Sequence, residues 1–235
     1  LGTVDKLRRW IWISPGWMAI MKNPPPAPTG AGPNDSVEHQ WYIERVLAQG
    51  FHVVALDTGT MLGSPAGADI YHQLYTKVTR DYRLYYKARL MGQSNGGLMV
   101  YAWAFRHPRY VDRILGVYPA TDFTSWPGLN LVVGPNAITP PGLGFNMTLE
   151  QLQAHIHELN PIDNFEPLVV AGVKIYHLHG DQDTTVPIDP NSLEYARRYT
   201  ACSGRIEIGV VHGVGHSPVP SFYQNQKALD FLLAN

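Results

Sequence analysis

The chain has 235 residues, 45% of them hydrophobic and 16% charged, with a formal net charge of −1. That length supports one substantial core, and the near-neutral charge gives no general field to draw in nucleic acid or an anionic membrane. The single cysteine, Cys202, excludes an intrachain disulfide, and no apolar run reaches the ~20 residues of a membrane span.

The opening "LGTVDKLRRW" lacks the apolar core of a secretory leader and reads as a trimmed or processed start. A first strand is predicted over Arg9–Ser14 ("RWIWIS"), then a Pro/Gly-rich loop over Met21–Asp35. Ser36 can cap a helix whose Ile43, Val46 and Leu47 share a face and which stops at Gly50. Strands follow at Phe51–Asp57 ("FHVVALD") and Ala88–Gly92 ("ARLMG"). Asp57, at a strand end, is assigned a loop-ordering role. After Ser94, Leu98, Ala102 and Phe105 mark one face of a helix that His107-Pro108 ends. A fourth strand spans Arg113–Pro119 ("RILGVYP"), and an irregular stretch, Phe123–Met147, leads into a helix with a capping-box pattern at Thr148 and Gln151. Leu149, Leu152, Ile156 and Leu159 supply its apolar face. The fifth strand is Val173–Gly180 ("VKIYHLHG"). Asp189-Pro190 reads as N-cap and first turn of a helix through Tyr199. The sixth strand is Arg205–Val211 ("RIEIGVV"), and a last helix near Ser221–Ala234 places Phe222, Leu229 and Leu233 together.

Alternating strands and helices imply an α/β fold, a mostly parallel sheet covered on both faces. Several strands are apolar throughout, as burial on both faces requires. No internal repeat or second domain is evident, so residues 1–235 read as one domain. The stretch of about residues 123–160 is long enough to form a cap over a site on the side of Ser94.

Ser94 stands in "GQSNG", Gly92–Gly96, between a predicted strand and a predicted helix. A sharp strand-to-helix turn exposes its central side chain and crowds its neighbours, which is why small residues are needed two positions away on either side. A serine there gains a helix N-terminus and nearby backbone N–H groups. An alcohol nucleophile needs a base, and the base an orienting acid. Both occur downstream in the order this fold requires: Asp183 in "HLHGDQDTTVP" after the fifth strand, and His216 in "GVGHSPVP" after the sixth. Asp122, after the fourth strand, is the other aspartate from which a carboxylate could reach the histidine; a cap for the following segment is its simpler role.

At these points the sequence resembles the α/β-hydrolase family over nearly its whole length. "GQSNGG" is similar to the nucleophile elbow, "HGDQDTTVP" to the acid loop of esterases and dienelactone-hydrolase-like enzymes, and "GHS" to the histidine loop. The resemblance selects Asp183 as the acid and leaves Asp181 as a turn former. "YPATDF" (Tyr118–Phe123) resembles a segment of the prolyl-oligopeptidase-like branch, although 235 residues leave no room for the propeller of its large peptidases. Where the family often has "HGG", this chain has "SPGW", with Pro15 in the place of histidine. The resemblance nominates the backbone N–H groups of Trp17 and Asn95 for an oxyanion hole.

Trp126 and Phe145 are candidates to line an apolar pocket beneath the cap. His177 and His179 alternate on a strand, His155 and His157 sit on the cap helix, and no pair has H-E-x-x-H spacing, so neither metal nor cofactor is expected. The expected function is ester hydrolysis through an acyl-enzyme on Ser94, with a small-molecule or glycan ester as substrate. Amide or peptide hydrolysis is the alternative chemistry. A non-catalytic binding protein on the same scaffold would show loss of a triad member, and all three are present.

Overall fold

Among the described residues six parallel strands form one sheet: β1 (Trp10–Ser14), β2 (His52–Ala55), β3 (Ala88–Gln93), β4 (Val111–Val117), β5 (Lys174–Gly180) and β6 (Arg205–Val211), in the order β2-β1-β3-β4-β5-β6. The structure, a computed structural model, describes residues 5–16, 37–56, 58–140 and 142–235. Helices in chain order are α1 (Val37–Ala48), α2 (Pro65–Asp81), α3 (Asn95–Arg106), α4 (Leu129–Val132), α5 (Leu149–Ala154), α6 (Ile156–Leu159), α7 (Glu166–Val170), α8 (Glu194–Ala201), α9 (Pro220–Tyr223) and α10 (Gln226–Leu233).

Successive strand side chains point to opposite faces, and the two faces bury separate clusters. Trp10, Trp12, Leu90, Ile114 and Ile175 pack with Tyr71 and Tyr75 of α2, Trp103 of α3 and Tyr195 and Tyr199 of α8. Ile11, Ile13, Met91, Leu115 and Leu178 pack on the other side with Tyr42 and Val46 of α1, Phe222 of α9 and Leu229 and Leu232 of α10. Strand order reverses between β1 and β3, because the chain leaves β1 for β2 on one side and then crosses to β3 on the other. The carboxyl ends of β1 and β3, paired at Ser14 and Gly92, therefore flank the crevice in which open α/β sheets bind ligands.

Helix α2 is absent from the sequence-based expectation. Its buried face is built from Ala68, Tyr71, Tyr75 and Val78, and tyrosines, with an apolar ring and a polar tip, blur the apolar period. Its start is conventional: Ser64 Oγ accepts the Gly67 N–H at 3.0 Å, and Pro65 occupies the first turn. Other details differ as well. β2 ends at Ala55, and Ser36 and Asp57 lie outside the described residues. Leu47 faces solvent while Tyr42 and Val46 carry the buried face of α1. Asp189 is inside its helix rather than capping it, in a π-turn over Asp189–Leu193 that runs into α8. The last helix divides where Asn225 caps α10 by accepting the Ala228 N–H at 3.1 Å. The capping box at Thr148 forms as expected, but the helix breaks at His155 into α5 and α6.

At the amino edge of the sheet two buried arginines hold the end of α10. Arg89 Nη1 donates to the Leu232 carbonyl at 2.5 Å and Arg113 Nη1 to the Phe231 carbonyl at 2.7 Å, where the helix terminus favours cations. Asp112 Oδ2 accepts from both Nε atoms, at 2.8 and 3.1 Å. Burial pulls the Arg89 guanidinium down to about 10. Asp112→Ala strips both guanidinium groups of their carboxylate and should cost about 3 kcal/mol in urea denaturation; a loss within experimental error would show that the α10 carbonyls alone suffice. Burial also holds His39 down at about 4 and His177 at about 3. Unfolding frees both to bind protons near the ordinary value of 6.5, so their contribution is intact above that pH and lost as pH falls. Stability should therefore drop by about 1.4 kcal/mol per pH unit for each buried imidazole between that value and about 4, and a flat urea midpoint across this window would contradict the assignment.

Candidate active site

Ser94 joins β3 to α3 with φ 51° and ψ −124°, a backbone state that costs a non-glycine residue about 1–3 kcal/mol. Three backbone bonds hold it there. The Ser94 N–H donates to the Val117 carbonyl at 3.1 Å, and the Ser94 carbonyl accepts from Gly97 and Ala120, each at 2.9 Å. The flanking glycines are required by contact. A Cβ on Gly92 would lie 3.1 Å from the Gly96 carbonyl oxygen; one on Gly96 would collide with the Ser14 carbonyl and lie 2.5 Å from that of Pro15.

Ser94 Oγ lies 2.9 Å from His216 Nε2, and His216 Nδ1 lies 2.7 Å from Asp183 Oδ2. The Asp183 side chain is fully enclosed, that of His216 19% exposed. Asp183 Oδ1 accepts the N–H groups of Thr185 at 2.9 Å and Val186 at 2.8 Å. Burial pushes this carboxyl up, but the contacts from His179 and His216 and the Val186 N–H outweigh it and hold it well below the usual carboxylate range. An ionised Asp183 accepts the Nδ1 proton of His216 and leaves the Nε2 lone pair facing the serine hydroxyl. The arrangement can therefore take a proton from Ser94.

The other aspartates are engaged elsewhere. Asp122 Oδ1 accepts the Thr124 N–H at 2.9 Å and Asn160 Nδ2 at 2.7 Å, capping the segment that leaves β4. Asp181 accepts the Gly213 N–H at 2.7 Å and pairs with His212, as a turn former would. Asn95 opens α3, so its N–H has no acceptor within the helix and lies next to the serine. Trp17 lies outside the described residues. Gly16, just before it, donates its N–H to Gln93 Oε1 at 3.4 Å, and a Cβ on it would sit 3.2 Å from Ser94 Cβ. The start of the loop leaving β1 thus passes beside Ser94.

Phe145 is buried edge-on against Phe123 with ring centroids 5.6 Å apart. It also lines a cavity of about 290 Å³ with Val133, Thr139, Pro140 and Met147, apart from Ser94, Asp183 and His216. Trp126 is half-buried at the margin of the same cluster, which includes Leu98, Ala120 and Val186 and so reaches the elbow and the acid loop. Two neighbours of Ser94 and His216 lie inside motifs quoted from the sequence but received no site role there. Tyr118, buried with φ 35°, sets its ring 4.4 Å from that of His216, and Gln93 Nε2 donates to its hydroxyl at 2.9 Å. An aromatic residue at the end of "RILGVY" reads as one more strand position.

A parallel sheet with this elbow at its switch point is the frame of a serine hydrolase of the α/β-hydrolase superfamily. The prolyl oligopeptidase family matches over residues 75–235, a span that includes Ser94, Asp183 and His216, and the chain belongs to that family. No curated protein matches it. Among solved structures it is similar to a puromycin-hydrolyzing peptidase of Mycobacterium tuberculosis (13% identity, TM-score 0.65, covering 98% of this chain and 33% of that one). Dipeptidyl peptidase 4 of Porphyromonas gingivalis gives 15% identity and a TM-score of 0.66, covering 98% and 32%. A carboxylesterase of the thaumarchaeon Nitrososphaera gargenis gives 15% identity and a TM-score of 0.54, covering 98% and 90%. The chain thus spans about a third of the length of these peptidases.

Gly96→Ala should lower stability by about 2 kcal/mol, since the added methyl meets backbone and not a side chain that can swing away. Thermal denaturation reads this directly; an unchanged Tm would show that the loop after Ser14 yields freely.

Proposed function

We propose that the chain hydrolyses carboxylic esters by acyl transfer to Ser94. The observation that carries this reading is the unbroken series of contacts from Ser94 Oγ through His216 to the enclosed Asp183. His216 Nε2 takes the hydroxyl proton as Oγ attacks the acyl carbon. The Asn95 N–H, with that of Trp17 nominated by family resemblance, meets the negative oxygen of the tetrahedral intermediate, each donor being worth about 3–4 kcal/mol. His216 then returns the proton to the departing alcohol as the carbon–oxygen bond breaks. Water, deprotonated by the same imidazole, attacks the acyl-enzyme and releases the acid and free Ser94.

Residues of about 123–160 act in this reading as a cap over the site of a single domain, with Trp126 at its edge as a substrate-facing residue. Phe145, packed against Phe123, supports that cap from within. A polysaccharide carrying acyl or methyl ester groups is one special case. Amide or peptide hydrolysis is the second reading, favoured by membership of a family named for a peptidase. The two share every step to the acyl-enzyme and differ in the leaving group: an amine must be protonated before it departs, whereas an alkoxide is the better leaving group.

Paired p-nitrophenyl esters and p-nitroanilides of the same acyl groups test both readings, run beside Ser94→Ala, Asp183→Asn and Asp122→Asn. Ester turnover should vanish in Ser94→Ala and fall by about four orders of magnitude in kcat in Asp183→Asn, while Asp122→Asn stays within a few-fold of wild type. Faster turnover of anilides than of esters would favour the second reading. A dead Asp122→Asn beside an active Asp183→Asn would move the acid to the earlier strand.

A further inference from the structure

Beyond Asp183 a line of polar side chains continues into the interior. Tyr101 of α3, His177 and His179 of β5 and Ser192 of the π-turn are each 1% exposed or less. Tyr101 Oη lies 2.6 Å from His177 Nε2, and His177 Nδ1 lies 2.9 Å from Ser192 Oγ. Ser192 Oγ lies 2.7 Å from His179 Nδ1. His179 Nε2 lies 2.8 Å from the Val186 carbonyl and 3.4 Å from Asp183 Oδ2.

With neutral imidazoles only one placement of protons satisfies every contact. A carbonyl only accepts, so His179 Nε2 carries the proton and its Nδ1 is an acceptor. The single proton of Ser192 goes to that Nδ1, which makes Ser192 Oγ the acceptor for His177 Nδ1–H. His177 Nε2 then accepts from the Tyr101 hydroxyl. Burial keeps His177 neutral and the Tyr101 phenol protonated. Reversing the series would turn the Tyr101 proton away from His177, its hydrogen-bond partner among the described residues. Every donor in the line therefore points toward the acid loop.

The loop is gripped from two sides. The Val186 N–H goes to Asp183 Oδ1, and the Val186 carbonyl accepts from His179. The imidazole thereby closes the 183–186 turn, and its longer contact to Oδ2 meets the carboxylate oxygen that also faces His216. We propose that His179 is a positioning residue that, with its tautomer set by Ser192, His177 and Tyr101, fixes Asp183 in the orientation that serves His216. This rests on the reading of Ser94 as nucleophile.

The probe is a fluorophosphonate, whose reaction at Ser94 needs the triad but no knowledge of the natural substrate; kinact and KI are measured separately for the full chain. His179→Leu should lower kinact by about 10–100-fold, a fraction of what loss of the acid costs, with KI little changed. His179→Gln, which returns an N–H close to the position of Nε2, should recover most of the loss. Ser192→Ala frees the tautomer and should lower kinact by about 10-fold. A folded His179→Leu variant with wild-type kinact overturns the proposal, as does a His179→Gln variant no faster than His179→Leu. If His179→Leu fails to fold, Ser192→Ala decides: wild-type kinact overturns the proposal and the expected fall supports it. A wild-type chain left unlabelled at Ser94 overturns the nucleophile reading and the proposal with it, whereas failure of the positioning role alone leaves wild-type labelling intact.

Discussion

The backbone of Ser94 stands in a conformation that an isolated chain would leave, and the molecule is organised to keep it there. Its amide is tied to the end of β4 and its carbonyl to the residues after β4 and to α3. The first ten residues of α3, Asn95 to Ala104, are all buried. Relaxing the turn would have to lift that helix from β1, β3 and β4, with which it packs. The strain of about 1–3 kcal/mol is thus opposed by a core many times larger. The same geometry aims the side chain into the crevice and leaves the first amide of α3 beside it.

The second constraint is electrostatic. An ionised Asp183 with no exposure would be costly unless its lone pairs were filled. Two backbone amides, the His216 N–H and the more distant His179 N–H fill them. The carboxylate cannot rotate without giving up bonds it cannot replace with water. His216 is consequently held in one tautomer, and Tyr118, itself hydrogen-bonded through Gln93, packs against its ring.

Much of this was legible in the sequence, for reasons that differ by element. All six strands were found because apolar runs bounded by Gly, Pro or Asp leave few other readings. The elbow is legible because steric crowding restricts residue type at fixed offsets, whereas Asp183 stands out from Asp122 and Asp181 only through the likeness of its loop to a family motif. Helix α2 escaped because tyrosines carry its buried face, as did the π-turn at Asp189, since Asp-Pro signals a helix start without fixing its first hydrogen bonds. Tyr118, Ser192 and the inward roles of His177 and His179 depend on which side chains meet across the sheet. Period and composition carry no such information. A histidine on a buried strand reads the same whether it merely fills space or directs a proton.

That π-turn explains how the acid loop and the segment after β4 come to share one support. Two successive side chains leave it toward different partners. Asn191 Oδ1 accepts the N–H groups of Thr121 and Asp122, and its Nδ2 donates to Ser125 Oγ and to the Pro187 carbonyl. Ser192 turns inward to both histidines. Both side chains are fully buried and bonded, on a π-turn of the kind that recurs at functional sites. The start of the 123–160 segment is therefore fastened to the turn that also sets the His179 tautomer. Displacing either side chain disturbs the backbone that carries the other, so the walls of the crevice and the orientation of its carboxylate are mechanically one unit.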